Sequence, residues 1–130
     1  MKKLILVLML IICSFNSFSQ SIAFAEKKDR NGATYYHFYN SYGQEIKKVL
    51  LNNAKLAGYS NGLVIFEINR MYFIYSSTFR LISQVYISDV GHIEHVFTLV
   101  TGEDGFVTFK NNRYYIWDEY GKTYTIIGNK

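Results

Sequence analysis

The sequence predicts an all-β fold of antiparallel meander or hairpin repeats, about three of them, and three observations carry that prediction. First, the chain repeats itself. "GLVIFEINRMYFIYSS" from Gly62 and "GFVTFKNNRYYIWDEYGK" from Gly105 superpose at an offset of 43, matching Gly62/Gly105, Val64/Val107, Phe66/Phe109, Asn69/Asn112, Arg70/Arg113 and Tyr72/Tyr115. Second, the chain beyond its first twenty residues reads as short alternating runs bounded by Asn, Gly, Asp and Ser, with no helical period sustained for three turns. Third, the 12 Tyr and 10 Phe lie largely inside those runs, where flat rings pack well on a pleated surface.

The first element is the opening "MKKLILVLMLIICSFNSFSQ": two lysines, an apolar run from Leu4 to Ile12, then small and polar residues. A run of this length is too short for a helix across a bilayer, which needs about 20 residues. It matches the apolar segment of a secretory signal helix. Ser17 and Ser19 suit signal peptidase, so 1–19 is read as a removed signal, with Ala23 and Ala25 marking a later option. A lipoprotein signal needs a small residue before its cysteine, and Ile12 precedes Cys13. Cys13 is therefore assigned to the signal core. The expected mature protein is periplasmic or extracellular, without a membrane span and without a cysteine, so it has neither disulfides nor thiol chemistry.

Losing Lys2 and Lys3 lowers the formal charge from +4 to +2. Lys47, Lys48 and Lys110 do not form the arginine-rich stripe that a phosphate backbone selects, so nucleic acid is not an expected partner.

The remaining residues, 20–130, read as one domain of three units, at about 21–51, 54–87 and 92–128. Each complete unit is a meander. A lead strand (Ala54 to Tyr59; His95 to Val100) precedes a Gly-bounded second strand (Leu63 to Ile68; Phe106 to Lys110). An aromatic third strand (Met71 to Ser76; Arg113 to Asp118) and a fourth (Phe79 to Ile87; Lys122 to Ile127) follow. The first unit is more diverged and lacks a lead strand, but "YHFYNSYGQEI" from Tyr36 matches "YYIWDEYGKTY" from Tyr114 at an offset of 78.

Turn chemistry supports this division. Asn or Asp favours the first position of a type I turn, and a glycine three residues later takes positive φ, so Asn40-x-x-Gly43 and Asp118-x-x-Gly121 predict bulged hairpins. The middle unit has "SSTF" there, without glycine, which predicts a longer or looser turn. Asn69-Arg70 and Asn111-Asn112 predict tight turns, because Asn adopts left-handed backbone at low cost.

On these residues the chain resembles the WG repeats, a family of secreted β repeats. Gly105, Asn112, Arg113, Tyr114, Asp118, Gly121 and Lys122 fall on the family pattern. Tyr114-Tyr115, Met71-Tyr72 and Tyr36-His37 stand where Trp-Gly would be, and the usual prolines are missing. The resemblance implies a repeat scaffold without a known enzyme site. A four-stranded meander also suggests a propeller-like array, but closed propellers use about four to eight blades. A compact barrel or roll around one dry interior is therefore expected, with a ring completed by several chains as the alternative.

Alternation gives the third strands two faces. A first face carries Tyr36 and Phe38, Met71 and Phe73, Tyr114 and Ile116; a second carries His37 and Tyr39, Tyr72 and Ile74, Tyr115 and Trp117. Both are apolar enough to be buried, which is the plainer reading. The functional alternative exposes the second face, so that Tyr39, Tyr72, Tyr115 and Trp117 form a ledge for sugar rings or a peptide.

"GHIEHVF" offers His92, Glu94 and His95 as metal ligands, but on a regular strand His95 points away from the other two; loop polarity or a partner contact is expected instead. Glu103-Asp104 and Asp118-Glu119 fall in expected turns, and no serine lies in a nucleophile motif such as Gly-x-Ser-x-Gly. No cofactor, metal or catalytic group is therefore expected. The sequence points to a small exported binding module for a glycan, peptide or envelope protein. The alternative is a structural subunit that pairs through strand edges at Ser21 to Lys27 or Lys122 to Asn129.

Overall fold

The computed structural model describes residues 21–51 and 53–127, and the expected signal segment, 1–19, lies outside them. Among the described residues, eleven strands and one short helix form three antiparallel sheets. Sheet I comprises β1 (Phe24–Arg30), β2 (Ala33–Tyr39) and β3 (Glu45–Leu51). Sheet II comprises β4 (Lys55–Tyr59), β5 (Leu63–Ile68), β6 (Met71–Ser76) and β7 (Leu81–Tyr86). Sheet III comprises β8 (His92–Thr98), β9 (Asp104–Lys110), β10 (Arg113–Asp118) and β11 (Thr123–Ile127). Each is a simple meander in chain order.

The turns follow from residue type. Asn31-Gly32, Asn69-Arg70 and Asn111-Asn112 join their strands with positive φ at both positions, as a tight hairpin on twisted strands requires. Asn40 and Asp118 each accept backbone N–H bonds from the residues two and four further on, at 2.9–3.0 Å. Gly43 and Gly121 close these turns at φ 77°, and each is followed by a register shift in its hairpin.

The turn after β6 departs from expectation. It is neither longer nor looser: the Phe79 N–H donates to the Ser76 carbonyl at 2.9 Å, and Phe79 takes the glycine position at φ 62°. Left-handed backbone costs a non-glycine residue about 1–2 kcal/mol. Packing offsets that cost, because the Phe79 ring meets the Phe38 ring at 5.0 Å and 67°.

The three sheets stack in sequence order and do not close into a barrel. Two cores result, in place of one common interior. Between sheets I and II lie Ile22, Phe38, Val64 and Phe66, with Tyr36, Tyr59, Tyr75 and Phe79 packed around them. Between sheets II and III lie Leu63, Ile65, Tyr72, Ile74, Val90, Val96 and Phe106, with Ile93 and Trp117 beside them. Sheet II is thus covered on both sides, and Leu63 to Phe66 are buried without a break.

The stacking has a rule. Sheets I and II meet through the first faces of their repeats, since Tyr36 and Phe38 of β2 pack with Val64, Phe66 and Tyr75. Sheets II and III meet through their second faces, with Tyr72 and Ile74 against Phe106 and Trp117. Like faces join like faces. Blades that turned about one axis would instead join unlike faces, so the meanders neither wrap into a barrel nor advance like propeller blades. Among the described residues the stack leaves two faces uncovered: the second face of sheet I and the first face of sheet III.

The passage from sheet II to sheet III uses a four-residue helix, α1 (Ile87–Val90), that the sequence did not reveal. Gly91 follows it at φ 97°, where an added Cβ would lie 2.7 Å from the Phe109 carbonyl oxygen and the Lys110 Cβ. Only glycine lets the chain pass there.

Candidate functional site

The open second face of sheet I is set by register. Asn31-Gly32 aligns Phe24 opposite Tyr39 and Glu26 opposite His37, and β3 places Lys48 opposite His37. The Phe24 and Tyr39 rings stack at 4.7 Å and 15°, and the His37 and Tyr39 rings stack at 6.5 Å and 18°. His37 Nδ1 pairs with the Glu45 carboxylate, which fixes the imidazole along the strand. At the other end Lys48 sits 4.7 Å over the Tyr35 ring, beside Arg30 at the β1–β2 turn. Phe24 is 44% exposed although it is a large apolar residue. The result is a nearly flat aromatic row with cations at one end and the His37–Glu45 pair along one side.

Of the four expected ledge residues, Tyr39 lies on this face and the other three do not. Tyr72 is only 2% exposed. Its hydroxyl accepts the Ile93 N–H at 3.1 Å, tying sheet II to sheet III. Burial raises its pKa above the ordinary tyrosine value, and the Glu67 charge adds to the rise while the Ile93 donor opposes it. Trp117 packs against the second core and donates its indole N–H to Thr108 Oγ1 at 2.8 Å. Tyr115 is half-buried and stacks on Trp117 at 5.8 Å. A single ledge of Tyr39, Tyr72, Tyr115 and Trp117 is therefore not formed, because the second faces of sheets II and III cover each other.

Sequence reasoning overlooked Phe24, Tyr35 and Lys48. The signal for them was present, since an Asn-Gly pair between β1 and β2 fixes a two-residue hairpin and so places Phe24 across from Tyr39.

The other candidates are also placed. His92 begins β8 in place of a loop, and a register shift between Ile93 and His95 sets His92 opposite Phe109 and His95 opposite Val107. Both histidines thus occupy positions on one face, contrary to simple alternation, and Glu94 falls in the bulge. Among the described residues, no group of three or more His, Cys, Asp or Glu side chains is arranged to hold a metal ion. Asp118 serves its turn. Asp104 accepts the Thr98 hydroxyl at 2.6 Å, and Ser60 and Thr98 lie 2.6 Å apart. That hydroxyl chain also accepts the Gly62 and Leu63 N–H groups, so it holds the β4–β5 turn against sheet III.

No protein-family model matches the chain, and a search of curated proteins finds no match.

Proposed function

We propose that the protein is a small exported, non-enzymatic binding module on a WG-repeat-like scaffold, presenting the open face of sheet I to a glycan of the cell envelope. The observation that carries this reading is the Phe24–Tyr39–His37 stack, in which Phe24 is exposed and Tyr39 and His37 are half-buried. Sugar rings offer C–H faces that lie flat on aromatic rings, and their hydroxyls take hydrogen bonds from neighbouring polar groups. Tyr39, Tyr35, His37 and Lys48 supply both kinds of contact. A peptide ligand is second to a glycan because the depression on this face, of about 370 Å³, lies at one end beside Arg30, Tyr35 and Lys48, whereas a bound strand needs pockets for alternate side chains along its length.

The test is binding of the purified protein to a glycan array and to isolated cell-wall material. Tyr39→Ala and Phe24→Ala are each expected to weaken binding at least tenfold, about 1.4 kcal/mol. Retained affinity in both variants would remove the reading.

A second reading, assembly through strand edges, draws on β1 and β11 lying at the outer edges of their sheets. It predicts that Thr125→Pro, on the edge strand β11, abolishes self-association seen by light scattering.

A further inference from the structure

The first face of sheet III is the apolar surface that the stack leaves uncovered. Phe97, Val107 and Ile116 form its centre, Leu99 and Tyr124 border an open depression of about 420 Å³ over them, and the exposed His92 and His95 lie on the same face along β8. Tyr114 extends it, with its ring 4.9 Å from that of Phe109. Leu99, Tyr114 and Tyr124 are 48%, 42% and 51% exposed. The second face of sheet I, also uncovered among the described residues, is more densely charged. It carries Glu26, Lys28, His37, Glu45 and Lys48 among its rings, and such a face is stable in water.

We infer that the first face of sheet III is a dimerisation surface, and that its occupant is the same face of a second copy of this chain. The rule of stacking identifies the occupant. Val107, Phe109 and Ile116 are the repeat counterparts of Val64, Phe66 and Phe73 on sheet II, and that face of sheet II packs on the first face of sheet I. Within this molecule, then, first faces are covered by first faces. Among the described residues sheet III has no such partner, and a second copy brings one. Two identical patches meeting face to face make an isologous, closed two-fold pair, whereas a head-to-tail contact with the charged face of sheet I would join unlike surfaces and not close.

Magnitude sets the expected strength. Four strands about 4.8 Å apart and about six residues long make a plate of roughly 19 by 20 Å. That is smaller than the roughly 800 Å² per partner of a standard stable complex, so the pair is weak and reversible.

The experiment is multi-angle light scattering of the purified protein, its N-terminus defined by mass spectrometry, from about 1 to 200 µM, a range set by that interface size. The expected result is monomer at the low end and dimer at the high end. Leu99→Lys and Tyr114→Lys, at exposed positions that leave the cores intact, should each weaken the dimer at least tenfold. Leu50→Lys, equally exposed on the opposite face of the stack, should not. A monomer throughout the range overturns the inference, whichever N-terminus it carries. So does a dimer that survives both sheet III substitutions, which would place the contact on a strand edge or on sheet I. Neither result bears on glycan binding, which is read separately.

Discussion

Trp117 donates its indole N–H to Thr108 Oγ1 at 2.8 Å, and the same hydroxyl donates to the Val90 carbonyl, so one buried threonine links β10 to the end of α1. Thr108 is fully buried. Thr108→Val keeps the shape but leaves the indole donor and the Val90 carbonyl without partners. It should cost about 2–6 kcal/mol, at about 1–3 kcal/mol for each of the two orphaned groups. Urea denaturation followed by Trp117 fluorescence measures it; a loss under about 0.5 kcal/mol would mean that water reaches the site.

Phe79 sets strain against packing. Phe79→Ala loses the ring contact with Phe38 but keeps the left-handed backbone, whereas Phe79→Gly loses the ring and relieves the backbone. Burial of a Phe side chain is worth about 1.5–3 kcal/mol and the strain about 1–2. Both variants should therefore be less stable than the parent, with glycine above alanine by about 1 kcal/mol. The order of the two midpoints in chemical denaturation checks this, and alanine above glycine would contradict it.

Tyr72 makes stability depend on alkaline pH. Its folded pKa lies above the unfolded value of about 10, so the folded state holds the proton more tightly. Stability from this group is fully present below about pH 10 and is lost as pH rises through the higher folded value. In Tyr72→Phe that loss should disappear, while stability at neutral pH falls by about 0.5–1.5 kcal/mol with the Ile93 bond. Melting temperatures from pH 7 to 11 give both quantities, and equal alkaline slopes in the two proteins would refute the prediction.

Salt should strengthen the sheet III pair. Glu103 lines the exposed depression, and the Tyr124 phenol is held above its ordinary pKa by desolvation and then by Glu103, Asp118, Glu119 and Asp104. Two copies meeting there bring like charges together, and salt screens that repulsion while leaving apolar burial intact. Dimer dissociation constants measured at about 50 and 500 mM NaCl should fall; a rise would point to an ion-paired interface.

Much of the local structure was legible. The two central hairpin strands of each full repeat are set by the position of Gly, Asn and the alternating rings, and β5, β6 and β10 begin and end where the sequence places them. The glycine-free turn misled because Phe79 is held by a residue some forty positions earlier, and no local preference records that contact. The start of β8 was missed because "GHIEH" is polar, and an exposed strand next to a bulge needs no apolar alternation.

The site was half legible. Alternation correctly grouped Tyr39, Tyr72 and Trp117 on equivalent faces, since each is set by the period of a strand. Which of those faces meets water depends on how the sheets stack, and that is fixed by contacts between units. Tyr72 is buried in the second core and Trp117 packs half-buried against it for that reason, while Tyr39 packs against neither core.

The most direct test of the sheet I site is an NMR titration of the purified protein with cell-wall glycan fragments, following backbone amides and aromatic side chains. Shifts concentrated at Phe24, Tyr35, His37, Tyr39 and Lys48, with Tyr115 and Trp117 unmoved, are the predicted result. Shifts centred on Tyr115 and Trp117, or a silent sheet I at saturating ligand, would contradict it.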